Sequence, residues 1–434
     1  MNLFRRVPDA AKQKEIISMN GVCHSWIAGN AIAFLPEPVG KYWAEYRELL
    51  ENAANFSDIF WLGENSSPQY LEKYPDWRDY VFLPEDGEMK MGHYMLQPAR
   101  TCQQLTAAAG YLISRVLSEM RSGRHERAVK FTGILSHMIG ECGQAAHVAD
   151  PKMLSALFQQ EGQSSLFHSP MENNSLVSYP EHSYSAQCLG DDESETVWRF
   201  VQKLAVLKSH STKTIVPIMN AILKNDFAEA AVYASRTVGE CTDIMADLLY
   251  TLYALFEGKK KGPDSVSLLE LEPEDYLCDG MFNFLPQRSV MPGKKWDEPI
   301  PLDAGDGARP GIALLPEMFP GHAFPRFAFV RYRIPSGVFR RFDFGCGLNR
   351  LADRNETSGI FEIRLDGKSV WQSPPLSVNS GNVYASIQPG RAEHLELYVR
   401  DSRTETATTK FFYPCFFDMT LHRSNNDLPR PKIL

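Results

Sequence analysis

Residues 131–151 read FTGILSHMIGECGQAAHVADP, and residues 166–173 read LFHSPMEN. The first run lies in a helical pattern from Glu126 to about Cys142, on which His137 and Glu141 stand four apart. Side chains at that spacing stack on one face and can meet one ion. His168 and Glu172 repeat the spacing. With 11 histidines and 53 acidic residues in the chain, two such pairs are close to chance, and a lone histidine here reads equally well as a hydrogen-bonded surface residue. Gly143 near the helix end and Pro151 beyond it let the backbone turn His147 toward a second, neighbouring ion. Imidazoles and carboxylates gathered in one short region are the donors from which zinc sites are built.

Upstream, HSWIAGNAIAFL (24–35) has apolar residues at helical spacing and is ended by Pro36 and Pro38. A second helix is expected over Tyr42–Ala54, and from Asn55 to Pro98 the pattern breaks into a long aromatic-rich stretch. A connection of that length is usually functional. Its rings Phe60, Trp61, Tyr70, Tyr74, Trp77, Tyr80 and Phe82 either hold a quaternary ammonium group or an unpaired base, or simply pack the loop. Helices resume over Arg100–Met120. Further on, two long helical patterns span roughly Thr196–Leu223 and Phe227–Glu257.

The run GKKKGP (258–263) reads as a linker, and beyond it the period changes to two. FEIRLDGKSVW (361–371) alternates around the hairpin pair Asp366-Gly367, and HLELYVRD (394–401) alternates again. The expectation is a multidomain chain: an all-α domain over residues 1–257, a linker over 258–264 and a β-sandwich over 265–434.

A net charge of −8 gives no broad basic field for a phosphate backbone, which argues against a binder of duplex nucleic acid. No apolar run reaches the length of a transmembrane helix, since Asp247 interrupts the longest candidate. MNLFRRVPDAAKQKEII at the start lacks the apolar stretch of a secretory signal, so a cytoplasmic address is the default expectation. Eight scattered cysteines with no CxxC suit reduced thiols better than a disulfide framework. No GxSxG or GxxxxGK[ST] string offers a serine nucleophile or a phosphate loop.

The string from His137 to His147, then His168 to Glu172, resembles the bacterial zinc-dependent phospholipases C and the related fungal single-strand nucleases. Their motif is His-x-x-Gly-Asp, a short gap, His, and later His-x-x-x-Glu or Asp. HSWIAGNAIAFL resembles their first metal-binding helix, and the likeness spans about residues 20–257. The resemblance implies a phosphoric-ester hydrolase with two or three zinc ions. One ion would take His147, His168 and Glu172; a second would take His137, Glu141, Asp58 and His93. Asp76 and Asp79 are rivals to Asp58. A third ion would take His24 and share Glu141. This chain departs from the family in having Glu141 in place of the bridging aspartate, and in having no tryptophan before His24 to supply an amino-terminal ligand.

In the implied chemistry zinc lowers the pKa of water to about 7 and offsets phosphoryl charge, while Asp58 orients or deprotonates the water. The substrate implied is a phosphoester, a phospholipid foremost, with single-stranded nucleic acid or a nucleoside 3′-phosphate as the alternative. A reading of another class is a glycan- or surface-binding protein with structural zinc. RRFDFGCGLN (340–349) and the two alternating stretches resemble carbohydrate-binding β-sandwich modules of bacterial glycan-acting proteins, which implies glycan contact by the second domain.

Overall fold

The computed structural model describes residues 23–85, 87–91, 102–148, 183–259, 262–277, 287–288, 302–303, 308–309, 311–314, 316, 327–349, 358–402 and 414–424. The chain divides into two compact units, Met1–Pro263 and Asp264–Leu434.

The first unit is helical. It runs through α1 (residues 23–31), α2 (Val39–Glu45), α3 (Arg47–Ala53), α4 (Phe56–Ile59), α5 (Pro68–Lys73) and α6 (Arg78–Val81). There follow α7 (Cys102–Arg121), α8 (His125–Gly143), α9 (Ala145–Val148), α10 (Glu193–Leu223) and α11 (Phe227–Phe256). The single helix expected over Tyr42–Ala54 is two, α2 and α3, broken at Tyr46. The aromatic-rich stretch is less irregular than its sequence suggested. Its described part winds into short helices and an antiparallel hairpin, β1 (Phe82–Glu85) and β2 (Glu88–Met91), so among the described residues the unit is helical with one small sheet.

Helix α8 is the centre of this unit. Every residue from Phe131 to Gly143 is buried, and α3, α7, α10 and α11 all pack against it. A helix apolar on all sides must be enclosed on all sides, which is why the polar residues it carries there are confined to an interior site. The long neighbours start on side-chain caps: Asp192 accepts from the Glu195 amide at the head of α10, and Asp226 from the Glu229 amide at the head of α11.

The second unit is a β-sandwich built from β3 (Ser265–Ser267), β4 (Asp275–Leu277), β5 (Gln287–Arg288), β6 (Leu302–Asp303), β7 (Ala308–Arg309), β8 (Gly311–Ala313), β9 (Phe327–Arg333) and β10 (Arg341–Leu348). It is completed by β11 (Gly359–Leu365), β12 (Lys368–Gln372), β13 (Val383–Ile387), β14 (His394–Asp401) and β15 (Pro414–His422). One sheet has the order β13-β10-β15-β8-β5 with β3 on β15; the other has β12-β11-β14-β9-β4. The sheets face each other through aromatic rings. Phe344 of the first meets Trp371 of the second at 4.9 Å, and Phe416 meets Phe361 at 5.3 Å between centroids. The β11–β12 turn is the one expected from Asp366-Gly367, with φ of 48° and 77°. Two successive left-handed residues match the strand twist, and only the second has no side chain to pay for it. The layout is a helical domain followed by a β-sandwich, as the sequence implied.

Candidate metal centre

Five of the residues singled out from sequence meet in the interior of the helical unit. His24 comes from α1, Asp58 from α4, His137 and Glu141 from α8, and His147 from α9. His24 Nε2 lies 3.9 Å from Asp58 Oδ2 and 3.8 Å from Glu141 Oε1. His137 Nε2 lies 3.7 Å from Asp58 Oδ1 and 3.6 Å from Glu141 Oε1. These separations are too long for hydrogen bonds. They are close to the spacing, about 3.3–3.6 Å, of two donors that each stand about 2.0–2.2 Å from one tetrahedral ion.

Local structure explains each placement. The turn of α8 aligns His137 with Glu141, and the His137 Nδ1 meets the Ala54 carbonyl at 3.0 Å. That contact assigns the ring proton to Nδ1 and turns the Nε2 lone pair toward the carboxylates, the usual way a ligating histidine is oriented. His24 lies flat against α8, with its ring centroid 4.2 Å from that of His137. It can do so because residue 140 is glycine: a Cβ there would collide with the His24 imidazole. Helix α8 ends at Gln144, whose φ of −94° and ψ of 117° are extended, and α9 restarts at once. The break turns His147 back onto Glu141, Nδ1 to Oε2 at 2.8 Å.

The charge states suit metal binding. Burial raises the Glu141 carboxyl, but His147, His137 and His24 around it outweigh burial and hold it at about 2. Burial and the neighbouring His137 push His24 down to about 4, against the opposing pull of Asp58 and Glu141. At neutral pH the cluster therefore presents an ionised carboxylate and a neutral imidazole, the forms that donate to a metal. His24, His137 and Glu141 offer donor atoms within 4.8 Å of one another and are the one such group among the described residues.

The rivals of Asp58 are engaged elsewhere. Asp76 accepts from the Tyr80 hydroxyl at 2.5 Å and from Lys130 at 3.0 Å, while Asp79 pairs with Arg127 at 3.0 Å. His93, His168 and Glu172 lie outside the described residues.

No protein-family model matches this chain, and no curated protein matches it. Among solved structures, the alpha toxin of Clostridium absonum is 12% identical with a TM-score of 0.33, over 91% of this chain and 85% of that one. The alpha-toxin of an avian strain of Clostridium perfringens is 9% identical with a TM-score of 0.34 over the same shares. A CBM51 module from Clostridium perfringens GH95, solved with methyl-galactose, is 18% identical with a TM-score of 0.27, over 36% of this chain and 99% of that one. Scores this low carry no argument about chemistry, which rests on the geometry above.

Two features of the centre were not read from sequence. The Ala54 carbonyl is a backbone group whose role no residue type announces. Gly140 sits inside the motif, and its part in admitting His24 depends on a helix more than a hundred positions away. Of the aromatic residues near Asp58, Phe60, Tyr74, Trp77 and Tyr80 are buried and pack the unit, as in the Phe60–Trp77 stack at 5.1 Å. Trp61 and Tyr70 are exposed.

Proposed function

We propose that the helical unit is a zinc-dependent hydrolase of phosphoric esters of the phospholipase C type. The observation that carries this reading is the convergence of His24, Asp58, His137, Glu141 and His147 from four helices on one interior point. His24, His137, Asp58 and Glu141 would hold the metal. Zinc, when bound, supplies a water that ionises near pH 7 and positive charge against the anionic ester.

The chain's own residues divide the remaining work. Glu141 presents Oε1 to His24 and His137 and Oε2 to His147, so one carboxylate joins the two halves of the site. Asp58 is the open member of the set, 34% exposed where His137 is sealed, and so is the residue a substrate meets first. Its carboxylate is placed to take the proton of an attacking water. A second and a third ion would draw on His93, His168 and Glu172. The acidic balance of the chain favours a phospholipid over nucleic acid as the substrate, and the sandwich unit would add contact with a glycan.

The test is elemental analysis of the purified protein together with turnover of phosphatidylcholine, single-stranded DNA, nucleoside 3′-phosphates and a chromogenic phosphodiester. Bound zinc and a rate that drops more than about 100-fold in His137→Ala are expected, since removing only a supporting residue around a ligand costs up to that much. Absence of zinc, or equal rates in wild type and variant, overturns the reading. Cleavage of DNA alone assigns the nuclease alternative, and one bound zinc without turnover assigns a structural ion.

A further inference from the structure

A groove of about 470 Å³ lies between α6, the β1–β2 hairpin and α7, lined by Arg78, Asp79, Phe82, Met89, Tyr111 and Arg115. It shares no residue with the metal centre. Its lining joins apolar and aromatic side chains with two guanidinium groups and one carboxylate.

The charges around it do not cancel. The buried Glu119 is shared by three arginines: Arg115 Nη2 at 3.1 Å, Arg127 Nε at 3.5 Å, and Arg124. Arg127 also reaches Asp79 at 3.0 Å and Asp76 at 3.6 Å, and Lys130 reaches Asp76 at 3.0 Å. With the Arg78–Glu64 pair, these contacts join five cations to four carboxylates, an excess of one positive charge in a chain of net charge −8. Arg115 is also held rigid. Its guanidinium lies over the Phe131 ring at 5.1 Å and its Nε is buried with no acceptor among the described residues, while the side chain as a whole is 38% exposed, so contact with a ligand falls to the terminal nitrogens. A guanidinium fixed by a carboxylate and an aromatic ring, beside an apolar and aromatic lining, is preorganised for an oxyanion.

We propose that this groove is a binding site for a small organic oxyanion, a phosphate or carboxylate carried on an aromatic or apolar body. The anion meets Arg115 and Arg78, the second of which it shares with Glu64, and the body lies on Phe82, Met89 and Tyr111. Asp79, which also lines the groove, is paired with Arg127, which lessens its repulsion of an anion.

Phenylphosphonate tests the proposal, since its carbon–phosphorus bond survives any esterase activity. Titration calorimetry on the full chain is expected to show saturable binding that weakens about tenfold or more in Arg115→Gln, the loss of one charge-assisted hydrogen bond. Arg78→Gln, an exposed change on another element, keeps the test valid if Arg115→Gln fails to fold, and is expected to weaken binding in the same direction. His24→Ala is expected to leave it unchanged. Benzoate and inorganic phosphate run in parallel: tighter binding of either aromatic ligand than of phosphate supports the site and assigns the anion. Absence of saturable binding overturns the proposal. So does phosphate binding as tightly as both aromatic ligands, or binding lost in His24→Ala and retained in both arginine variants, which would place the ligand at the metal centre.

Discussion

Gly140 shows how narrowly the centre is specified at the level of single residues. In the interior of an open helix, alanine is more stable than glycine by about 1 kcal/mol. Here the added methyl would collide with the His24 ring, and overpacking of that kind costs about 1–3 kcal/mol. Gly140→Ala is therefore expected to lower stability rather than raise it, and to weaken zinc in a competition titration because His24 is displaced. A variant with wild-type affinity and a higher melting temperature would show that His24 does not lie where it is described. That His137 and Glu141 share a helix face was legible because helical spacing is a local property, while their choice as ligands rested on the resemblance, since such pairs are close to chance. The choice of Asp58 over Asp76 and Asp79 rested on the family resemblance and not on a local signal, since the three lie within some twenty residues of one another.

Among elements, α6 is fastened to α8 by polar contacts as well as by packing. Burial raises the Asp76 carboxyl, but the Tyr80 hydroxyl and the Lys130 ammonium outweigh it and hold the group below the ordinary carboxylate range. A carboxyl with a lowered folded-state value adds stability above its unfolded value of about 4 and loses it as pH falls through the folded one. Asp76→Asn is expected to lower the urea midpoint at pH 7, and the gap from wild type should narrow below pH about 4. A gap that stays constant with pH would mean that the carboxylate charge is not what fastens α6. In the sandwich, the β11–β12 turn is equally testable. Gly367 has φ of 77°, so Gly367→Ala should cost about 1 kcal/mol or more, read as a fall in melting temperature. That turn was readable because Asp-Gly is a local signal, as was the alternation of β14. The β1–β2 hairpin was missed because its strands are only four residues each and Pro84 interrupts β1, although Glu88–Met91 alternates charged and apolar residues.

For the whole molecule, the division into two units predicts how it responds to chelation. The metal residues all belong to the first unit, so a strong chelator is expected to lower the calorimetric transition of the helical unit and leave that of the sandwich in place. A single transition that moves as one would show that the units unfold together. The change of period near residue 264 made the order of fold types legible, because a switch from helical to alternating pattern needs no knowledge of contacts. The groove above Arg115 was illegible for the opposite reason: its parts come from α6, the hairpin and α7, and only folding brings them to one place.

The enclosure of α8 also sets a timetable for the centre during synthesis. His24 leaves the ribosome long before Glu141, and until α8 is packed its imidazole has no carboxylate to share an ion with. Domains fold as units while the chain emerges. The full set of donors therefore comes together only with the folded helical unit, and before that the most the nascent chain offers is a pair four apart on one helix, such as His137 and Glu141. The choice of metal is deferred to a cavity whose shape has already been decided.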